Sequence, residues 1–178
     1  MQIKKLNDKA VVPSKKLGNA GFDLAVLLNS IPSNDPNLLA AKGTEFYKLH
    51  PNETKTFGTG LSIYLQDPKL VGFILPRSKL GSKHGIVIAN GTGVLDSSYQ
   101  GELMIALHNR SNEPFFIEDG MLVAQLVVCK MPLVTHFTEV EEFTEGTERG
   151  SQGINCDDLR VKQGNPEDWV WCNDGVSV

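Results

Sequence analysis

The chain has 178 residues, 40% of them apolar and 21% charged, with 17 glycines and 9 prolines. That length holds one domain with a real core and falls short of two, and the composition suits a turn-rich globule, against both coiled coil and disorder. The formal charge of −4 is unevenly placed, with 14 Lys/Arg against 11 Asp/Glu over residues 1–138 and 3 against 10 over 139–178; no basic block is long enough to follow a nucleic acid backbone, so polymer binding is not expected.

The opening "MQIKKLNDKA" lacks the apolar core of a signal peptide. No apolar run approaches the roughly 18 residues that cross a bilayer, so a soluble, cytoplasmic protein without a membrane partner is expected. Along the chain, short β-branched and apolar segments alternate with turn signals. "FDLAVLL" (22–28) reads as a strand, and residues 29–53 read as a long loop or insertion. "TFGTGLSIYL" and "VGFILP" follow as strands, and "KLGSKH" as a short helix with Ser78 as its N-cap and Gly85 as its stop. "IANGTGVLD" reads as a β-hairpin around an Asn-Gly turn. "ELMIALHN", "EPFFIE" and "MLVAQLVVCKMPLV" complete the strands. Residues 1–145 are therefore expected to form an all-β sandwich or barrel with one short helix, and no window carries a sustained helical period. From 146 to 178 strand density gives way to Gly, Asn and Asp, the composition of a mobile acidic arm. Cys129, Cys156 and Cys172 form an odd set without CxxC spacing and the histidines are scattered, so structural thiols are expected and no zinc site.

Two stretches carry chemistry. In "LPRSKLGSKHG" the free amides of a helix start, beside Arg77 and Lys79, form either a small anion cradle or an ordinary capped turn. In "GTGVLDSSYQGE" glycines let a flat polar ring come close to the main chain. Asp96 there either caps a turn or acts as a base that orients water, and Tyr99 offers a flat face to a sugar.

In combination, "AGFDLAV" (20–26), "PRSKLGSKHG" (76–85), "NGTGVLDSSYQGEL" (90–103), "DGMLVAQLV" (119–127) and "TERGSQG" (147–153) resemble, in order and spacing, the five motifs of the trimeric dUTP pyrophosphatase (dUTPase) family. The resemblance implies a distorted jelly roll of β-clip type with an extended C-terminal arm. It implies a homotrimer with active sites at subunit interfaces, splitting dUTP with Mg2+ into dUMP and pyrophosphate. Asp96 would orient the attacking water, and Tyr99 would pack on the deoxyribose and exclude ribose. Asn90, with main-chain groups of Val94, Leu95 and Met104, would read uracil. Arg77, Ser78, the Lys79 amide and Gln125 would meet the phosphates, Asp23 would touch the metal through water, and Arg149 would reach the γ-phosphate. The chain departs from the family in two places: Lys79 stands where Gly is usual, and Ile154 to Asp158 replace an aromatic and small hydroxyl residues. Trp169 and Trp171 are candidates for an alternative aromatic lid or for packing across the trimer. The related dCTP deaminases need a catalytic Glu where this chain has Ala106. A nucleotide-sensing or protein-binding module on the same fold is the remaining alternative.

Overall fold

The computed structural model describes residues 1–147. In β9 (Glu102–Asn109) every second residue, from Leu103 to Asn109, is buried, the period expected of a strand with one face on the core. The other strands are β1 (Gln2–Lys5), β2 (Phe22–Ala25), β3 (Leu38–Ala41), β4 (Thr44–Leu49), β5 (Thr54–Tyr64), β6 (Leu70–Pro76), β7 (Ile86–Ile88), β8 (Gly93–Leu95), β10 (Phe115–Glu118) and β11 (Leu122–Lys130). They build a sheet in the order β1-β5-β9-β7, a second in the order β2-β11-β6-β8, and a third in the order β10-β4-β3. All recorded pairings are antiparallel. Leu24, Ile74, Leu95 and Leu126 from the second sheet meet Phe57, Ile105 and Leu107 from the first, while Tyr47, Leu49 and Ile117 add the third. This is the all-β jelly roll expected, with one short helix, α1 (Ser78–His84). No helix among the described residues is long and apolar enough to cross a membrane.

Residues Met1–Thr135 form one compact unit, and a second begins at His136. Residues 136–147 contain no strand or helix and are exposed. Arg149, the Ile154 to Asp158 departure, Cys156, Cys172, Trp169 and Trp171 lie outside the described residues.

Several expectations need correction. Residues 29–53 are not simply a loop: β3 and β4 form a hairpin within them, and β4 continues the sheet onto β10. Its two-residue turn is Lys42-Gly43, both left-handed at φ 53 and 82. A lysine in the first of these positions hides a turn that Asn-Gly would advertise. The "IANGTGVLD" hairpin is not a paired ladder. β7 pairs with β9 and β8 pairs with β6, so residues 89–92 carry the chain from one sheet to the other. Gly93 permits this by lying flush on β6, where an added Cβ would come within 3.0 Å of Ile74 Cβ. Ser78 is the first helical residue and Arg77 takes the N-cap position without a side-chain cap. The stop at Gly85 is as expected, in the left-handed region at φ 69. β1 was invisible to periodicity because all four of its residues are exposed.

Candidate active site

Two groups of residues form around β6. At its C-terminal end, the register of β11 sets Gln125 opposite both Asp23 on β2 and Leu75 on β6. Arg77 follows directly after β6. Its Nε lies 3.0 Å from Asp23 Oδ1, and its Nη2 donates to Oδ2 at 3.4 Å, a side-on ion pair with both side chains close to half exposed. Nη1 donates to the Leu122 carbonyl at 3.3 Å. The Gln125 amide donates to the Pro76 carbonyl at 3.2 Å. Gly21 makes room for that amide, since a Cβ there would fall 2.3 Å from Gln125 Oε1. Ser78 and Lys79 open α1 beside this pair. The cluster presents a guanidinium, two hydroxyl or amide groups and a half-exposed carboxylate, a set suited to phosphate oxygens and the water around them.

The second group surrounds the turn at 89–92. Ala89 N–H donates to the Ala106 carbonyl at 2.9 Å, the last bond before β7 parts from β9. Gly91 then turns at φ 74, and β8 runs along β6 as an edge strand. Two stretches of main chain are thereby left without a sheet neighbour: the outer edge of β8 and the side of β9 that β7 covers only from Leu107 onward. Val94 on the first is 61% exposed and Met104 on the second 43%. Unpaired N–H and C=O groups of this kind can pair with the edge of a planar amide-containing ring. Asn90 is exposed within the turn and Leu95 is buried behind it. Asp96 follows, its side chain exposed in the single chain, and its carbonyl accepts the Tyr99 N–H at 3.1 Å. The Tyr99 hydroxyl donates to the Glu102 carbonyl at 2.9 Å, and its ring fills the space above Gly101, where a Cβ would lie 2.4 Å from the hydroxyl. Glu102 and Gly21 are functional candidates that sequence reasoning passed over. The available signal was two glycines, Gly58 and Gly60, on a strand opposite a glutamate.

Within one chain Asp96 and Arg77 are kept apart, while the 89–92 turn runs on from Gly93, opposite Ile74, toward the Arg77 end of β6. β6 runs antiparallel to β8 with Gly72 opposite Leu95, so Asp96 leaves near the start of β6 while Arg77 follows its end. Arg77 lies five positions beyond Gly72, roughly 16 Å along extended chain. No group of three or more His, Cys, Asp or Glu among the described residues could hold a metal ion. Asp23 does fit an outer role toward Mg2+, an ion that keeps much of its water, because its half-exposed oxygens retain acceptor capacity.

Such a fold, with two unpartnered strand edges beside an exposed carboxylate and a half-exposed arginine–aspartate pair, is of the all-β jelly-roll class. The dUTPase family model matches residues 7–156. The chain is 47% identical over 138 residues to the deoxyuridine 5'-triphosphate nucleotidohydrolase of Haemophilus influenzae, covering 77% of this chain and 80% of that protein. It is 46% identical over 139 residues to its counterpart in Histophilus somni, covering 78% and 80%. Among solved structures, a dUTPase of Staphylococcus bacteriophage 80alpha with dUpNHpp superimposes at a TM-score of 0.69 with 25% identity, over 86% of this chain and 95% of that one. A dUTPase of phage phi11, described with a structural Mg(II) ion, agrees in fold at 0.66 and 22% identity, over 81% and 98%. The chain belongs to the dUTPase family.

Proposed function

We propose that the protein hydrolyses dUTP to dUMP and pyrophosphate, keeping uracil out of DNA and supplying dUMP. The observation that carries this reading is the pair of unpartnered strand edges at the 89–92 turn, with an exposed carboxylate directly beyond β8 and a tethered tyrosine three residues on. Asn90 and the main chain of Val94, Leu95 and Met104 bind the uracil edge, and the tight main-chain turn there leaves no space for a 5-methyl group. Tyr99 lies along the deoxyribose and its bulk rejects a 2′-hydroxyl. Asp96 orients a water and takes its proton as the water oxygen bonds to the α-phosphorus; the α-phosphorus to bridging oxygen bond breaks and pyrophosphate leaves. Mg2+ carried in with the triphosphate would supply charge neutralisation there, and Asp23 would accept from its water shell.

The separation of Arg77 from Asp96 along β6 supports an active site shared between protomers of a homotrimer. Arg77, Ser78, the Lys79 amide and Gln125 of one protomer then hold the phosphates of a nucleotide whose base and water belong to the next. Arg149 reaches the γ-phosphate from the arm.

The test is pyrophosphate release with Mg2+ from dUTP, dTTP, dCTP and UTP, wild type beside Asp96→Asn. The expected result is dUTP-selective release, lowered about 10²- to 10⁴-fold by the substitution with nucleotide binding retained. Nucleotide binding without release from either protein would overturn hydrolysis in favour of a sensing module.

A further inference from the structure

We propose that Glu102 is a positioning residue, whose carboxylate locks the start of β9 onto a glycine bulge of β5 and so fixes the tyrosine that serves as the sugar platform. The inference rests on the dUTP reading above and deepens it. β5 and β9 pair regularly from Thr54 to Gly58, then shift register before Ser62. Into the shift goes the Glu102 side chain. Its Oε1 accepts the Gly60 N–H at 2.8 Å, and it occupies the place a side chain on Gly58 would take, only 2.4 Å from where that Cβ would stand. Gly60 supports the bulge at φ 66, in the left-handed region. Gly58 is the cross-strand partner of Met104, so the carboxylate sits at the step of the ladder assigned to base reading.

The same residue acts through its main chain. The Glu102 carbonyl accepts the Tyr99 hydroxyl at 2.9 Å, and its backbone pairs with Ser62, whose Oγ donates to the Gln100 carbonyl at 2.7 Å. Gln100 to Glu102 are therefore pinned to β5 from two sides, and the tyrosine hangs from the pinned segment. Gly60 is buried, so removal of the carboxylate leaves its N–H without an acceptor, a cost relieved only by movement of this segment. Such movement frees the phenol while leaving Asp96, which precedes the tether, in place.

The experiment measures KM and kcat for dUTP and UTP in the full chain for wild type, Glu102→Ala, Glu102→Gln, Tyr99→Phe and the Glu102→Ala/Tyr99→Phe double variant. For Glu102→Ala the expected result is a raised KM for dUTP and a dUTP-over-UTP preference lowered about tenfold, the factor for one hydrogen bond, with kcat little changed. Glu102→Gln keeps an acceptor for Gly60 and retains the preference. Tyr99→Phe, which removes only the tether, reproduces the loss, and the double variant is no worse than either single one. Unchanged preference in Glu102→Ala, or in Tyr99→Phe should the alanine variant fail to fold, overturns the proposal. Equal damage from glutamine and alanine overturns it too. Wild type without any preference for dUTP over UTP would instead sink the sugar-platform reading itself.

Discussion

Arg77 is held before any phosphate arrives. A guanidinium carries five N–H groups in a fixed fork, and the contacts to Asp23 and the Leu122 carbonyl engage one on each of its three nitrogens. One N–H on each terminal nitrogen stays free, the edge a phosphate takes in bidentate fashion. Asp23 thus aims Arg77, in addition to the place near the metal's water proposed for it. Asp23→Asn keeps the shape but removes the charge. Its expected effect is a KM for dUTP raised about fivefold, the size of a half-exposed ion pair worth roughly 1 kcal/mol after solvent screening. Steady-state kinetics checks this, and an unaltered KM would deny Asp23 the aiming role. The residue types were legible in sequence, but their partnership was not: Asp23 and Arg77 are 54 positions apart and meet only through the β2-β11-β6 register.

Among the elements, the stretch before β3 is fastened by a polar network that no motif announces. Lys55 on β5 bonds Asp35 at 2.9 Å and lies 4.9 Å over the ring of the buried Tyr47. The Tyr47 hydroxyl donates to Glu53 at 2.6 Å, the other Glu53 oxygen accepts the His50 N–H, and the His50 ring meets Asn37 at 3.0 Å. The Asn37 backbone N–H and then Lys55 hold the Asp35 carboxyl below its ordinary value of 3.8, while Asp35 holds the Lys55 ammonium above 10.5. A depressed acid stabilises the fold above its unfolded pKa and loses that contribution as pH falls through the folded value; a raised base loses its own as pH climbs past the folded one. The pair therefore contributes between about pH 4 and about pH 10.5. Asp35→Asn is expected to lower the melting temperature at pH 7, with the difference from wild type shrinking at pH 3. Equal differences at both pH values would count against the pair. Strand existence was readable wherever apolar runs met Gly or Pro. β3 and β4 escaped because Lys42 occupies a left-handed position and β3, apolar at all four positions but mostly exposed, shows no alternation.

For the molecule as a whole, one compact unit ends at Thr135, and the described core cluster lies within it, between residues 24 and 126. Truncation after Glu145 deletes Arg149. The expected outcome is an unchanged melting temperature with dUTP turnover per KM lowered about tenfold or more, as for a lost charged contact to phosphate. Retained turnover and affinity in that assay would show the arm dispensable. The jelly roll and the motif order could be read directly, whereas the partition of the motifs could not. Linear spacing puts Arg77 and Asp96 only a short stretch apart, and antiparallel pairing then sends them to opposite ends of one strand.

The crossing at residues 89–92 has one more consequence. A ring held as proposed between the edge of β8 and the uncovered half of β9 would touch two sheets at once and act as a keystone between them. Shear of one layer past the other would then have to release the base, and recognising the nucleotide and keeping the two layers aligned would be a single mechanical event.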